Sequence, residues 1–201
     1  MANRGSCRII GGNWRGRKIR FDEVNGLRPT TDRIRETVFN WLQATLPGSA
    51  CLDAFAGSGA LGFEAASRGA SRVVMLEKNR AALRNLQQNI DTLSAQGVSA
   101  QQADTLHWLG QACRQQKVPP PVNEAGFDLV FLDPPFRAGL LEESCRLLAQ
   151  SGLLRPLAKI YIEHALNDSI DLPPDWRCLK SKTAGAVAYK LYQHDGHVDQ
   201  L

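Results

Sequence analysis

Apolar and polar positions along the chain change repeatedly between a strand-like and a helix-like period. Short apolar runs predict strands at ACLDAF (50–55), RVVMLE (72–77), FDLVFLD (127–133) and KIYIEH (159–164), with a weaker strand at VSAQQA (98–103). The segments between them predict helices at 59–69, 79–95, 104–116 and 140–150. Alternation of this kind is typical of an α/β fold, with a mostly parallel sheet and helices on both faces.

The two ends of the chain depart from this alternation. RIIGGNWRGRKIRF (8–21) has two extended runs around Gly11, Gly12 and Asn13, which predicts a small β-hairpin. WRCLKSKTAGAVAYKLYQ (176–193) predicts two antiparallel strands around Gly185, a common modification at the edge of such a sheet. Asp32 is the expected N-cap of a helix that ends at Pro47-Gly48, and KVPPPVNEAG (117–126) is expected to be a surface loop.

Composition narrows the class of protein. The 201 residues are 43% hydrophobic and 22% charged, which suits one globular domain with a substantial core. The five cysteines are odd in number and form no C-x-x-C, so we expect neither a disulfide framework nor a zinc site. The N-terminus has no apolar leader and no apolar run reaches ~18 residues, so we expect a cytoplasmic protein.

Basic residues are concentrated at the N-terminus. Residues 1–40 contain nine Arg or Lys against four Asp or Glu, whereas the remainder of the chain is close to neutral. Such a basic arm indicates a polyanionic partner, although a solvated basic surface is the alternative. If the polyanion is single-stranded RNA, which proteins bind with cations and stacking aromatic rings, the expected RNA contacts are Arg15, Arg17 and Lys18. The neighbouring Trp14 either stacks on a base or anchors the hairpin.

The stretch AGSGALG (56–62) contains G-x-G-x-x-G, and Glu77 follows Gly57 by twenty residues, as in dinucleotide-binding sites. Asp53, four residues before Gly57, argues against a dinucleotide because it would repel a pyrophosphate. A carboxylate at this position would attract a cation instead. S-adenosylmethionine fits, because it carries a sulfonium and an ammonium group but no phosphate, and the glycines, including Gly59, allow the backbone to approach it.

Acidic residues follow three consecutive predicted strands. Beside Asp53, Glu77 could accept hydrogen bonds from ribose hydroxyls and Asp104 from the adenine amine. Ligands of open α/β sheets lie beyond the carboxyl ends of the strands, which is where all three acids are expected. The alternative, that strand-end acids only cap helices, applies most to Asp104.

VFLDPPF (130–136) is the most specific stretch of the chain. Asp133 and the Pro134 carbonyl could accept hydrogen bonds from an exocyclic nucleobase amine and turn its lone pair toward a methyl donor. The methyl group is already activated by the sulfonium, so positioning is most of what the protein must supply. Pro134 and Pro135 give a rigid backbone, and Phe136 offers a stacking face to an unstacked base. The alternative is a strand-ending turn with Phe136 packed inward.

These stretches resemble a known family. LDAFAGSGALGFEA, VVMLEKN and LDPPF are similar to the motifs of class I amino-methyltransferases with a D/N-P-P-Y/F signature. RIIGGNWRGRKI, LRPTTDRIRETVFNWL and AGAVAYKLYQ resemble, more narrowly, the RsmD-type bacterial 16S ribosomal RNA methyltransferases, over residues 8 to 193. The resemblance implies a Rossmann-like methyltransferase domain (28–201) behind a hairpin extension (1–27), acting as a monomer without a metal.

By the same resemblance, the enzyme would methylate N2 of a specific guanine in 16S RNA, in naked RNA or in the small ribosomal subunit. Asp53, Gly57, Gly59, Glu77 and Asp104 would bind S-adenosylmethionine, and residues 133–136 would hold the base. Arg28, Thr30 and Arg33 are implied contacts of the cofactor, and Arg137 of a target phosphate. Alternatively, Arg33 and Arg35 pair only with Glu36 or solvent.

The sequence is compatible with three other functions. A DNA-adenine or protein-glutamine methyltransferase would use the same DPPF loop, although only about 40 residues lie outside the core, few for DNA recognition. An NAD-dependent oxidoreductase would use the glycine loop, but Asp53 and the DPPF motif argue against it. A non-catalytic RNA-binding module would leave an intact cofactor site unexplained.

Overall fold

The computed structural model describes residues 4–22, 32–115, 126–135 and 139–196, which group into two compact units, Met1–Asp104 and Thr105–Leu201. The first unit contains β1 (Arg4–Arg8), β2 (Lys18–Asp22), α1 (Asp32–Trp41), β3 (Ala50–Asp53), α2 (Ala60–Ser67), β4 (Arg72–Glu77), α3 (Arg80–Leu93) and β5 (Val98–Gln102). The second unit contains α4 (Thr105–Gln115), β6 (Phe127–Leu132), α5 (Leu140–Gln150), β7 (Leu154–Ala165), β8 (Trp176–Ala184) and β9 (Val187–His194).

Three parallel strands form the sheet of the first unit, in the order β5-β4-β3. Every side chain of β3 is buried, as are Val73, Val74, Met75 and Leu76 of β4. Continuous burial is typical of parallel strands covered on both faces, and it explains why apolar runs rather than alternation marked these strands in the sequence. The predicted strand-helix alternation is confirmed here, with α3 capped by the side chain of Asn79.

In the second unit β6 and β7 are parallel, whereas β7 with β9 and β9 with β8 are antiparallel. The predicted antiparallel C-terminal strands are therefore confirmed, with Gly185 in the turn at a φ of +58°. β7 begins five residues earlier than predicted. Phe127 of β6 pairs with Leu154, but Leu129, only two residues later, pairs with Lys159. The extra residues of β7 between these pairs interrupt the regular strand pattern, so the sequence did not predict this part of the strand.

The predicted N-terminal hairpin is also confirmed: β1 and β2 are antiparallel, with Arg8 opposite Lys18 and a 3-10 turn at Gly12–Trp14 between them. Gly12 has a φ of +74° and lies so close to the Ser67 carbonyl that a Cβ atom would collide with it. Only glycine meets both conditions, so this residue allows the hairpin to lie directly against the end of α2.

α1 starts at Asp32 but ends at Trp41, before the predicted Pro47-Gly48. The Leu42 N–H still bonds the Val38 carbonyl, after which the chain tightens into turns, with the Thr45 N–H donating to the Leu42 carbonyl. Pro47 follows these turns rather than the helix itself. Asp32 begins the helix and also forms an ion pair within it, since its Oδ1 lies 2.7 Å from Arg35 Nη2.

A buried carboxylate fastens the hairpin to α2. The Glu64 side chain is fully buried, and its two oxygens accept the backbone N–H groups of Ile10 at 2.7 Å and Gly11 at 2.8 Å. Arg68 Nε donates to Oε1 at 2.7 Å, and the fully buried Arg35 lies with Nη1 3.9 Å from Oε2. Two helices and the hairpin therefore meet at one buried negative charge.

Replacing this carboxylate should destabilise the first unit strongly. In Glu64→Ala, the hairpin N–H groups lose their acceptor and Arg35 loses its nearby buried counter-charge, which typically costs about 3–5 kcal/mol of unfolding free energy. Urea unfolding followed by circular dichroism measures this loss. The control Glu143→Ala, which removes an exposed ion pair with Arg146, should unfold near the wild-type midpoint. A wild-type midpoint for Glu64→Ala would contradict the assigned role.

Candidate functional site

The glycine loop after β3 has a backbone shape that depends on its glycines. Gly57 and Gly59 have φ values of +51° and +80°, in the left-handed region. A Cβ atom on Gly59 would lie 2.6 Å from the Phe63 ring and 2.7 Å from Leu86. The loop is held by the Ala56 N–H, which donates to the Leu76 carbonyl at 3.0 Å. It thus brings bare backbone to the start of α2, as a closely approaching ligand requires.

Asp53 ends β3 beneath this loop. Its side chain is almost completely buried, and Oδ2 accepts the N–H of Gly62, in the first turn of α2, at 3.0 Å. Burial raises the pKa of Asp53 to about 7, the negative charge of Glu77 adds to the rise, and the N–H groups of Gly62 and Phe55 oppose it. Asp53 is therefore a carboxyl group that a cation would convert to its charged form.

Glu77, at the end of β4, is bonded to the same loop. Its Oε2 accepts the N–H of Gly57 at 2.9 Å, and its Oε1 accepts the N–H of Asn79 at 2.6 Å. The structure thus brings Asp53, Glu77 and the glycine loop together, as the sequence predicted for a cofactor site. A carboxylate can accept several hydrogen bonds, so these contacts orient Glu77 without preventing a bond to a ligand hydroxyl.

Asp104 follows β5 and is more exposed than the buried Asp53. Its Oδ2 pairs with Lys78 Nζ at 2.7 Å, and its side chain is 42% exposed. Lys78 directly follows Glu77 in the chain, a position that sequence reasoning did not assign to the site. Strand register places Glu77 opposite Gln102, so Asp104 lies just beyond the end of the adjacent strand.

Several predicted contacts lie outside the described residues. These are Arg28, Thr30, Phe136 and Arg137, and residues 117–125 of the proline-rich stretch also lie there. Arg33 is described and is exposed on α1. Arg35 is instead fully buried, and its Nη2 donates to the Arg8 carbonyl at 2.8 Å as well as to Asp32. For Arg35, the alternative of pairing with Glu36 or solvent is therefore wrong, because its observed partners are Asp32 and the Arg8 carbonyl.

The second unit contains the other part of the predicted site. Asp133, half-buried, and Pro134, buried, follow the end of β6. Pro134 lines a cavity of about 340 Å³, together with Pro135, the start of α5, and residues 163, 164 and 167–170 at and beyond the end of β7. The Tyr161 hydroxyl donates to Glu163 Oε1 at 2.6 Å. Burial, then the nearby charges of Glu163 and Asp133, raise the pKa of Tyr161 well above 10, so it remains a donor.

Sequence reasoning took KIYIEH only as a strand and so missed Glu163. This side chain is 3% exposed and lines the cavity. A glutamate among the apolar residues of a buried strand was the available signal, because buried charges are rare without a partner or a function.

The predicted RNA contacts lie on the hairpin surface. Arg15, Arg17 and Lys18 are all exposed. Arg17 Nη2 donates to the Thr92 carbonyl at 2.6 Å near the end of α3, which fixes its direction. Trp14 is half-buried, and its backbone N–H donates to Ser67 Oγ at 2.9 Å. This contact belongs to the backbone of Trp14 and fastens the hairpin to α2.

Within the described ranges, no group of three or more His, Cys, Asp or Glu side chains could hold a metal ion. No helix among the same residues is both long and apolar enough to cross a membrane.

The chain is similar to known proteins over nearly its full length. The profile of the family described as Conserved hypothetical protein 95 matches residues 7–193. Proteins named Ribosomal RNA small subunit methyltransferase D from Haemophilus influenzae and Escherichia coli (strain K12) are each 44% identical to it over 95% of this chain, covering 95% and 91% of their own lengths. A solved structure, "Putative methyltransferase yhhF from Escherichia coli", is 44% identical, with a TM-score of 0.82 over 96% of this chain and 100% of that one.

The raised pKa of Asp53 gives a testable pH dependence. The folded pKa of about 7 exceeds the unfolded value near 4, so the folded state keeps a proton that the unfolded state releases between these pH values. The contribution of Asp53 to the free energy of unfolding has its full value below about pH 4. It is lost as the pH rises through about 7, at up to about 1.4 kcal/mol per pH unit.

Urea unfolding of the wild type and Asp53→Asn from pH 4 to 8 measures this dependence. As the pH rises, the wild type should lose unfolding free energy relative to Asp53→Asn, because the asparagine does not titrate. Glu143→Gln, a change of the same kind at an exposed carboxylate, should show no such trend. Parallel curves for Asp53→Asn and the wild type would contradict the assignment of a raised pKa.

Proposed function

The chain belongs to the family described as Conserved hypothetical protein 95, and we propose that it transfers a methyl group from S-adenosylmethionine to the exocyclic N2 amine of a guanine in 16S ribosomal RNA. The relatives named Ribosomal RNA small subunit methyltransferase D support an rRNA methyltransferase, as the sequence predicted, and do not favour the DNA or protein alternative. The enzyme would act as a monomer in the cytoplasm.

One observation on the cofactor side supports this proposal most directly. A buried carboxyl group and a second carboxylate lie against the same glycine loop, the first bonded to Gly62 and the second to Gly57. The ammonium group of S-adenosylmethionine would favour the charged form of Asp53, and its ribose hydroxyls would donate to Glu77. A pyrophosphate would be repelled by both. The reactive methyl comes activated on the sulfonium, so the protein's own residues only bind and orient.

On the target side, Asp133 and the Pro134 carbonyl would hold the guanine amine. Its lone pair is delocalised into the ring, so the amine is a weak nucleophile. Two acceptors in line with its N–H bonds would turn the lone pair toward the methyl group and stabilise the positive charge that develops on nitrogen. The Pro-Pro backbone suits this purpose because both φ angles are fixed before the base arrives.

The decisive experiment is nucleoside analysis of ribosomal RNA from cells that lack the gene. We expect one N2-methylguanosine of 16S RNA to disappear and to return when the wild-type gene is restored. Unchanged modification of 16S RNA would overturn the proposal. Calorimetry should detect binding of S-adenosylmethionine but not of NADH, which separates a methyltransferase from an oxidoreductase.

Asp133→Ala should separate cofactor binding from chemistry. Affinity for S-adenosylmethionine should largely survive, whereas methyl transfer to small ribosomal subunits should fall by about two orders of magnitude or more, because a positioned transition-state acceptor is lost. Incorporation of a labelled methyl group measures the rate. Asp133→Asn keeps one acceptor oxygen and should retain more activity than Asp133→Ala. A near wild-type rate for Asp133→Ala would remove Asp133 from the mechanism.

The hairpin cations give a second test. If Arg15, Arg17 and Lys18 contact RNA phosphates, their replacement by alanine should flatten the plot of log K against log salt concentration by roughly 2 units, at about 0.7 per phosphate. Affinity for S-adenosylmethionine should not change.

The matched control replaces Arg146 and Arg177, two exposed arginines paired with Glu143 and Asp195, and should leave the salt dependence of RNA binding unaltered. An unaltered slope in the hairpin variant would mean that its charges only face solvent. RNA contacts would then be sought at the exposed Lys180 and Lys182 of β8.

A further inference from the structure

The cavity beside the Asp133 turn has the size of a small-molecule site. Its volume of about 340 Å³ falls in the range of roughly 300–1,000 Å³ that is usual for ligand pockets. The buried Pro134 and the exposed Pro135 form one side, and Glu163 lies on another. The cavity therefore adjoins the residues proposed to hold the reactive amine, and it can accommodate the rest of a base.

Strand register explains why Glu163 reaches this cavity. β6 and β7 are parallel, and Leu132, the last residue of β6, lies opposite Ile162. The next residue on each strand is Asp133 on one side and Glu163 on the other. The two carboxylates are thus placed at corresponding points at the carboxyl ends of neighbouring strands.

The Glu163 carboxylate is also held in a fixed direction. It is 3% exposed and accepts a 2.6 Å hydrogen bond from the Tyr161 hydroxyl, two residues earlier on the same face of β7. A carboxylate has acceptor positions for several donors, so this bond orients Glu163 rather than saturating it. Glutamine would accept the same bond without a buried charge. The charge itself is therefore not needed for the contact with Tyr161.

The bases differ in what they present beside the amine. Guanine has an N1–H donor next to its N2 amine, so both groups can donate to carboxylates. Adenine and cytosine have an unprotonated ring nitrogen next to their amines, whose lone pair a carboxylate repels. Uracil has a ring N–H but no exocyclic amine. A second carboxylate beside the amine-binding group therefore discriminates guanine from the other three bases.

From this placement we propose that Glu163 accepts the N1–H of the target guanine while Asp133 and the Pro134 carbonyl hold its N2 amine. Glu163 is thus a specificity-determining residue of the base pocket. The inference rests on the proposed function, because it concerns how the same reaction selects its base.

The first test uses Glu163→Gln, which keeps the acceptor for Tyr161. The kcat/KM for methyl transfer to small ribosomal subunits from cells lacking the gene should fall about 100-fold, the usual order for losing specific contacts with a base edge. Affinity for S-adenosylmethionine should not change, and Tm should stay level or rise because a buried charge is removed. Glu143→Gln, on the exposed face of α5, serves as the matched control and should remain fully active.

The outcomes separate function from structure. A large loss of activity together with a clearly lowered Tm would mean that Glu163 supports the fold, and would overturn the inference. Retained activity would overturn it too. If the wild type itself methylates no guanine, the proposed function has failed instead.

The second test addresses the N1–H directly. Once the methylated guanine is mapped, it is replaced by 2-aminopurine in whichever acceptor the wild type uses, 16S RNA or the reassembled subunit. This analogue keeps the 2-amine but has an unprotonated N1. The wild type should prefer guanine by about 100-fold, whereas Glu163→Gln, whose amide can donate to N1, should show a ratio near one. An equal preference in both enzymes would show that Glu163 does not contact N1.

Discussion

The first unit is organised around the buried Glu64 carboxylate. The hairpin, α1 and α2 each direct a donor or a cation toward this group, and the contacting residues Gly11, Arg35 and Glu64 are more than twenty residues apart in the sequence. A buried charge is costly unless it is surrounded by such partners, so an arrangement that leaves Glu64 without them is disfavoured. The consequence reaches the proposed cofactor site, because α2 begins at the glycine loop and its Gly62 N–H donates to Asp53. The hairpin is in this respect a support for α2 as well as a basic surface.

Local patterns in the sequence predicted much of this structure for physical reasons. Parallel strands buried on both faces produce apolar runs, and glycines with a φ between +51° and +80° must appear in the loop after β3. The positions of Asp53 and Glu77 followed from the same logic, since strand ends meet at one edge of a parallel sheet. These features depend on neighbours in the chain or on a repeating period, so they can be inferred without coordinates.

What could not be predicted depends on distant partners. Glu64 accepts the N–H groups of Ile10 and Gly11, which lie more than fifty residues away in the sequence. The periodicity of α2 does not indicate these partners. The early part of β7 was hidden because its register against β6 is irregular, with the exposed Leu157 at a φ of +62°. Glu163 was missed for a similar reason: its importance comes from a neighbouring strand and a cavity, which a one-dimensional pattern does not contain.

Acidic side chains have different hydrogen-bond partners in the two predicted parts of the site. Glu77 accepts the Gly57 N–H of the loop that it supports. Asp53 accepts the Gly62 N–H in the first turn of α2, and this bond opposes the rise that burial causes in the pKa of Asp53. Glu163 accepts the Tyr161 hydroxyl of its own strand. The first arrangement suits a ligand that brings positive charge, because the cation completes a partly compensated site. The second suits a neutral ligand with N–H donors, because a hydrogen bond accepted by a carboxylate is stronger than one accepted by a neutral oxygen.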